Sequence, residues 1–290
     1  MTIQAALLPD GRRLHLNHGP IDLVLEAWGE PMDVAASHEQ ATTAFRDVLP
    51  ALVAELPILR EPLGEVEPSL TGPVAHRMLA ACWPHRHGFI TPMAAVAGAV
   101  ADHILAAMLA GRRLTRAYVN DGGDIALHLS PGERLVCGLV PDVAAPVIEG
   151  KVEVTHDMPV RGIATSGAAT RGSGGRSFSF GIADAVTVLA RDAAAADAAA
   201  TVIANAVDLP DHPAVVRRPA ADIDPDSDLG DRHVTLAVGN LEASEIDAAL
   251  AAGLQTAEGL RESGLIYGAV LALQGRFVVS GDPSMLRLAA

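Results

Sequence analysis

Four polar constellations in this chain have the residue types and spacing to do chemistry. In "YVNDGGDIAL", Asn120, Asp121 and Asp124 flank Gly122 and Gly123. A Gly-Gly pair turns the backbone tightly and lets a ligand approach the main chain, although an ordinary strand connection uses the same residues. In "ADAAATVIAN", Asp197, Thr201 and Asn205 stand four apart, which puts them on one face of a helix. A carboxylate, a hydroxyl and an amide are hard oxygen donors of the kind that suit Mg2+, which takes a few protein oxygens together with water and phosphate. The alternative is a solvated helical stripe, but such stripes carry Lys, Glu and Arg, and this one has none.

The third constellation is the glycine-rich run "GIATSGAATRGSGGRS". Backbone N–H groups in such a turn form an anion-binding concavity. Thr165 and Ser166 add hydroxyls before Gly167, and Arg171 and Arg176, with Arg161 nearby, offer forked charge partners for a phosphate. The run matches neither the Walker A nor the GxGxxG pattern, and "RGSGGR" also reads as a surface loop. The fourth is "CWPHRHGFITP", where His85 and His87 are two apart with nothing nearby to complete a zinc set. There is no GxSxG or HExxH, so hydrolase chemistry finds no support.

The bulk numbers narrow the field. The chain has 290 residues, half of them apolar, and only 3% are aromatic, so Ala, Val, Leu and Ile must fill the core. A net charge of −14 disfavours nucleic acid as a partner. Cys82 and Cys137 make no metal or disulfide pattern and read as reduced thiols. The expectation is that no apolar run reaches the ~18 to 20 residues of a membrane span, and no signal peptide is evident at the start. A cytoplasmic protein with a small-molecule ligand and no membrane partner is expected.

The elements that must position these residues follow from periodicity and punctuation. "RLHLNHG" and "IDLVLEAWGE" read as a hairpin through Gly19-Pro20. "SHEQATTAFRDVLPALVAEL" reads as a helix with Ser37 and Gln40 as a capping box and a kink or break at Pro50. Thr71 starts a short helix, and Thr91-Pro92 opens a long one that Gly111 closes. "RAYVN", the "DGGD" turn and "IALHLS" follow, and "ERLVCGLV" reads as pairing with "IALHLS" around Ser130-Pro131-Gly132. Asp192 caps the helix "RDAAAADAAATVIANAVDL", and the tail gives a strand, a helix and a closing hairpin. Paired strands between helices predict an α+β fold with antiparallel sheets rather than a doubly wound one. An Asp-bearing, Ala-rich helix beside hairpins occurs twice, around Asp102 and Asp197, which suggests two pseudo-repeated halves within a single domain over 1–290. Edges left by such sheets predict a homodimer.

Taken in order from about Thr91 to Val207, these segments resemble the ApbE-like superfamily. "AAVAGAVADHILAAMLAGRRLTRAYVNDGGDIAL" looks like that family's helix followed by its GGD turn. "GIATSG" looks like its A-T-S-G segment, and "VTVLARDAAAADAAAT" like its V-T-V strand and A-D-A…T helix. Characterised members are flavin transferases that use FAD and Mg2+ to attach FMN to a Thr of a target protein. The resemblance implies a T-fold-like arrangement, a metal held by Asp197 and Thr201, and a cofactor site lined by Asn120, Asp121, Gly122, Gly123, Asp124, Thr165, Ser166 and Gly167, with Arg171 and Arg176 pairing its charge. Asp102 falls on the helix Asp of the family's K-G-…-D pattern.

Two departures stand out. Ala97 replaces the family's Lys ahead of Gly98. "SFSFGIADAVTV" stands where the transferases carry H-I-I-D-P-x-T-G, so the transfer His is absent, and Ser179, Asp184 and His87 are the polar candidates for catalysis. The chain thus looks like the divergent branch, with a cofactor-metabolism chemistry altered from FMN transfer. A flavin or nucleotide carrier or sensor without catalysis, and a structural or assembly subunit, are the alternatives.

Overall fold

In chain order the strands are β1 (Gln4–Leu7), β2 (Leu14–His18), β3 (Ile21–Gly29), β4 (Leu114–Asp121), β5 (Asp124–Leu129), β6 (Arg134–Leu139), β7 (Gly150–Thr155), β8 (Gly162–Ser166), β9 (Ala185–Ala190), β10 (Val215–Pro219), β11 (His233–Val238), β12 (Gly268–Leu273), β13 (Arg276–Ser280) and β14 (Leu286–Leu288). The helices are α1 (Pro31–Leu59), α2 (Pro73–Cys82), α3 (Val96–Leu109), α4 (Ala193–Ala206) and α5 (Ala243–Glu262). These come from a computed structural model that describes residues 2–139, 150–167 and 178–282, and the backbone of 286–288. Arg171, Arg176 and most of the glycine-rich run lie outside the described residues.

The chain divides into two compact units. The first holds Met1–Leu135, Val154–Ala164 and Ala190–Ala198. Its sheet runs β1-β2-β3-β4-β5 and then the start of β8, each neighbour antiparallel where paired. Helix α3 packs on β4 and β5, α1 packs on α3, and α2 lies against both. Alternation along the strands sets the inner face: Leu14 and Leu16 of β2 and Leu23, Leu25 and Ala27 of β3 are buried. Phe45 of α1 is fully buried, and removing such a side chain from water is worth about 2–3 kcal/mol.

The second unit holds Val136–Glu153, Thr165–Leu189 and Ala199–Ala290. It contains the antiparallel run β9-β12-β13 with α5 packed on β12 and β13, the pair β10-β11, and β14 paired with β7. Strand β12 is buried along its whole length. Both units are therefore antiparallel sheet backed by helix, as the strand pairing in the sequence implies.

Several local expectations are corrected. Helix α1 begins at Pro31, so Ser37 sits inside it and its hydroxyl donates to the Val34 carbonyl at 2.7 Å instead of capping. The helix runs on through Pro50 and Pro57, which are both exposed and two turns apart. The carbonyls those prolines leave unbonded lie on the solvent side, while Ala41, Phe45, Val48 and Leu52 hold the inner face. The N-cap of α2 is Gly72 rather than Thr71, and the cap is brought from α1: Glu55 accepts Thr71 N at 2.6 Å and Gly72 N at 2.9 Å. After Thr91, Pro92–Ala95 form a 3-10 turn before α3 begins at Val96.

Strand β6 does not pair with β5. Strand β8 takes that edge, with Ile125 opposite Ile163 and Ala126 opposite Gly162, while β6 pairs with β7. Gly162 is required there, because a Cβ would stand 2.0 Å from the Asp192 carbonyl carbon. Pro92–Leu109 is long and apolar enough to cross a membrane by length and composition, contrary to the expectation that no run is. More than half of it is buried within the fold.

Candidate functional site

The first unit gathers the carboxylates singled out from the sequence. Strands β4 and β5 are joined by Gly122 (φ +63°) and Gly123 (φ +117°), conformations that favour glycine. Among the described residues nothing lies within 4 Å of where a Cβ would stand at either, so those residues leave the outer side of the turn open. Asn120 locks the turn by accepting Gly123 N at 2.8 Å. Asp121 and Asp124 are directly opposite each other in the ladder, and Asp121 is 9% exposed.

Helices α3 and α4 cap each other. Asp197, on the first turns of α4, accepts Gly98 N of α3 at 3.0 Å. Asp102, on α3, accepts Ala193 N at 3.1 Å and Ala194 N at 2.9 Å. Each acid lies four residues after the residue at the crossing, Gly98 in one helix and Ala193 in the other. The crossing is close enough that a Cβ on Gly98 would come within 2.3 Å of the Ala193 oxygen. Asp192 completes the α4 start by accepting Ala195 N at 2.7 Å, as the sequence implied.

Charge at this place is strongly perturbed. Burial and the neighbouring Asp124 push the Asp197 carboxyl well above the usual range, against N–H donation from Gly98 and Ala97. Burial and Asp197 do the same to Asp121. Burial, and secondarily Asp192, raises Asp102 to about 6. Burial and Asp197 also push up the Cys82 thiol, which donates to the Pro92 carbonyl. Asp197 thus sits within electrostatic reach of Asp124, Asp121 and Asp102, and it lies at the N–H end of α3, where the helix dipole favours negative charge. Ala97, ahead of Gly98, contributes no compensating cation.

The second unit holds the other candidates. The hydroxyls of Thr165 and Thr187 are 2.9 Å apart. Gly167 has φ +122°, and a Cβ there would come within 2.9 Å of the Ala183 and Asp184 carbonyl oxygens. Ser179 is 6% exposed; it donates to Asn205 Oδ1 at 3.1 Å and accepts Gly181 N at 3.2 Å. Asn205 Oδ1 also accepts Phe180 N, which gives that amide a role in the fold. Asp184 accepts Gln274 N at 2.5 Å. Thr201 is half-buried, one turn beyond Asp197 on α4.

Comparison with known proteins decides the family. A family described as AbpE bacteria matches residues 5–279. The chain belongs to that family. Among curated relatives of this AbpE chain, a UPF0280 protein of Methanothrix thermoacetophila is 38% identical over 136 residues, 47% of this chain and 52% of the relative. A UPF0280 protein of Methanosphaerula palustris is 36% identical over 184 residues, 63% of this chain and 70% of the relative. With the first of these the AbpE chain spans about half the relative's length. An ApbE protein of Thermotoga maritima has the same fold at 13% identity, with a TM-score of 0.51 over 96% of this chain and 97% of that one.

Within this AbpE fold, the structure brings Asp121 and Asp124 within electrostatic reach of Asp197, and it adds two groups that sequence reasoning passed over. Cys82 lies within reach of the Asp197 charge, and Gly98 supplies a backbone donor. The A-x-x-x-D and G-x-x-x-D spacing held the signal for the reciprocal caps. His87 is exposed, and His85, half-buried after α2, is lowered by burial. Arg161 turns its guanidinium onto the carbonyls of His156, Met158 and Val160, which occupies its donors inside the fold.

Proposed function

We propose that this AbpE-family protein binds a phosphate-bearing small molecule, of flavin, nucleotide or pterin type, together with Mg2+, and acts in cofactor metabolism by a reaction other than FMN transfer to protein. The observation that carries this reading is the crowding of Asp121, Asp124 and Asp197 under an open Gly-Gly turn. Asp124 raises the proton affinity of Asp197, and Asp197 raises that of Asp121; a divalent cation removes that repulsion. The same cation is what lets a phosphate approach an acidic site at all. Asp197 would give a carboxylate oxygen and Thr201 a hydroxyl. Among the described residues no group of three or more His, Cys, Asp and Glu is placed to hold a metal ion, so few protein ligands would be used. The remaining oxygens would come from water and the ligand phosphate, which is the usual habit of Mg2+. When bound, the ion would supply charge neutralisation for the phosphate.

The flavin assignment rests on the sequence resemblance to the flavin transferases. The altered chemistry rests on the segment where their His would stand, in which Ser179 and Asp184 are both engaged in hydrogen bonds that hold the fold. That engagement also favours the second reading, a carrier that binds and does not react. Calorimetry with FAD, FMN, ADP and a pterin, with and without Mg2+, tests the proposal. Mg2+-dependent binding of one of these, lost in Asp197→Asn, is expected. Binding of none, or binding indifferent to both Mg2+ and Asp197→Asn, defeats it. Mass spectrometry of the bound ligand after incubation separates enzyme from carrier.

A further inference from the structure

The sheet of the first unit ends at β1. All four of its residues are exposed, and its register with β2 is unbroken. Among the described residues no strand lies on its other side. Proteins ordinarily block such an edge with a charge, a proline or a bulge, because its unpaired N–H and C=O groups otherwise template another strand. Thr2 to Leu8, "TIQAALL", has none of these devices. The edge strand β13 of the second unit does: it begins with Arg276, which is ion-paired to Asp247.

The surface beside β1 is unfilled in the same way. Two grooves, of about 720 and about 790 Å³, lie between this edge of the sheet and α1 and share Arg46. Leu7 lines one and Val53 the other, and they are 58% and 56% exposed. On the α1 face between them stand Glu39 and Arg46, seven residues or two turns apart. Neither has an ion pair or hydrogen-bond partner among the described residues. One free acid and one free base two turns apart form a self-complementary pair: an antiparallel copy of the helix sets each against its opposite.

We propose that β1 is the seam of a two-fold dimer of this chain. β1 of a second copy pairs antiparallel beside it, the two sheets become one, and Glu39 of each copy faces Arg46 of the other. A two-fold axis normal to the sheet keeps both α1 helices on the same side, where they meet over the grooves. A second copy fits better than an unrelated chain because both the strand edge and the charge pattern complement themselves. Copies that each carry −14 repel overall, but the groove lining, with Arg12 and Arg46 beside Glu39, adds no net negative charge at this seam. The size is adequate. The 29 residues of α1 span roughly 43 Å, and a strip about 15 Å wide, one helix and one strand spacing, covers about 600 Å² per copy, at the lower end of stable interfaces.

Sedimentation velocity of the full chain across a wide concentration range tests this. A species of twice the chain mass is expected. Leu7→Lys, which puts a charge on an exposed edge position, weakens it by about tenfold or more. Arg46→Glu weakens it similarly, and adding Glu39→Arg to that variant restores it. Circular dichroism of each variant stays unchanged, since all three side chains are exposed. A chain that remains monomeric throughout overturns the proposal. So does a dimer indifferent to Leu7→Lys, a charge swap that fails to restore pairing, or β1 amides that become protected from exchange only when a different protein is added.

Discussion

Replacing Gly98 with alanine puts a methyl carbon 2.3 Å from the Ala193 oxygen, 2.5 Å from its carbonyl carbon and 2.7 Å from the Ala194 nitrogen. All three are backbone atoms at the start of α4, so no rotamer change relieves the contact. Restoring an ordinary separation moves the two helices apart by about 1 Å. Overpacking of this kind costs about 1–3 kcal/mol. The movement also stretches the Asp197 bond to Gly98 N and the Asp102 bonds to Ala193 N and Ala194 N, and capping interactions are worth about 1 kcal/mol each. A total loss of about 3–5 kcal/mol is expected, a large share of the roughly 5–15 kcal/mol that holds a domain folded. Urea denaturation followed by circular dichroism measures it. Gly259→Ala is the control: Gly259 is inside α5 with no described residue within 4 Å of its would-be Cβ, so the same change there should stabilise by about 0.5–1 kcal/mol. If Gly98→Ala behaves like Gly259→Ala, the close crossing of α3 and α4 is wrong, and with it the reciprocal capping.

Other expectations follow from the same geometry. Glu55→Ala removes the cap that α1 supplies to α2 and should lower stability by about 1–2 kcal/mol, measured by the same denaturation. Asp102 has a folded pKa of about 6 against an ordinary value of 3.8, so the folded state holds its proton more tightly. Its contribution is therefore greatest below about pH 4 and declines as pH rises through 6, by up to about 3 kcal/mol. The stability difference between the natural chain and Asp102→Asn should shrink over that window, and a difference that stays flat refutes the assignment. Gly167→Ala meets a strained φ and two carbonyl oxygens at 2.9 Å, and should cost about 2 kcal/mol or more in thermal or urea unfolding.

What was legible in the sequence was local. Asp192 three residues before Ala195, the Gly-Gly turn between "RAYVN" and "IALHL", and the alternating hairpin at Gly19 each act within a few residues, and each appears where its pattern placed it. The start of α2 did not, because its cap comes from Glu55, sixteen residues away from Thr71. The start of α3 answers to Asp197, ninety-nine residues beyond Gly98. Pro50 reads as a break from propensity alone, but the buried face that runs from Ala41 to Leu52 overrides it. The partner of β5 was hidden for a different reason. A short turn at Ser130–Gly132 favours a hairpin with β6, and only the close approach of Gly162 to Asp192 shows why β8 occupies that edge. For the site, the acids and the glycines were readable, but their mutual repulsion was not, since it depends on burial.

The reciprocal capping of α3 and α4 has a consequence for how the chain comes off the ribosome. The first unit is not a continuous length of sequence: it closes only with Ala190–Ala198. When residues 1–135 have been synthesised, the sheet β1 to β5 and helices α1 to α3 exist as sequence, but the N–H end of α3 has no acceptor and Asp102 has nothing to cap. That nascent segment must wait for Ala193 and Ala194 before Asp102 has a helix start to cap, and for Asp197 before the start of α3 has its acceptor. Contacts separated this far in the chain form late and slow folding. Gly98 and Asp197 therefore join the first and the last of the unit's three segments, and the unit is complete only when the last of them has been made.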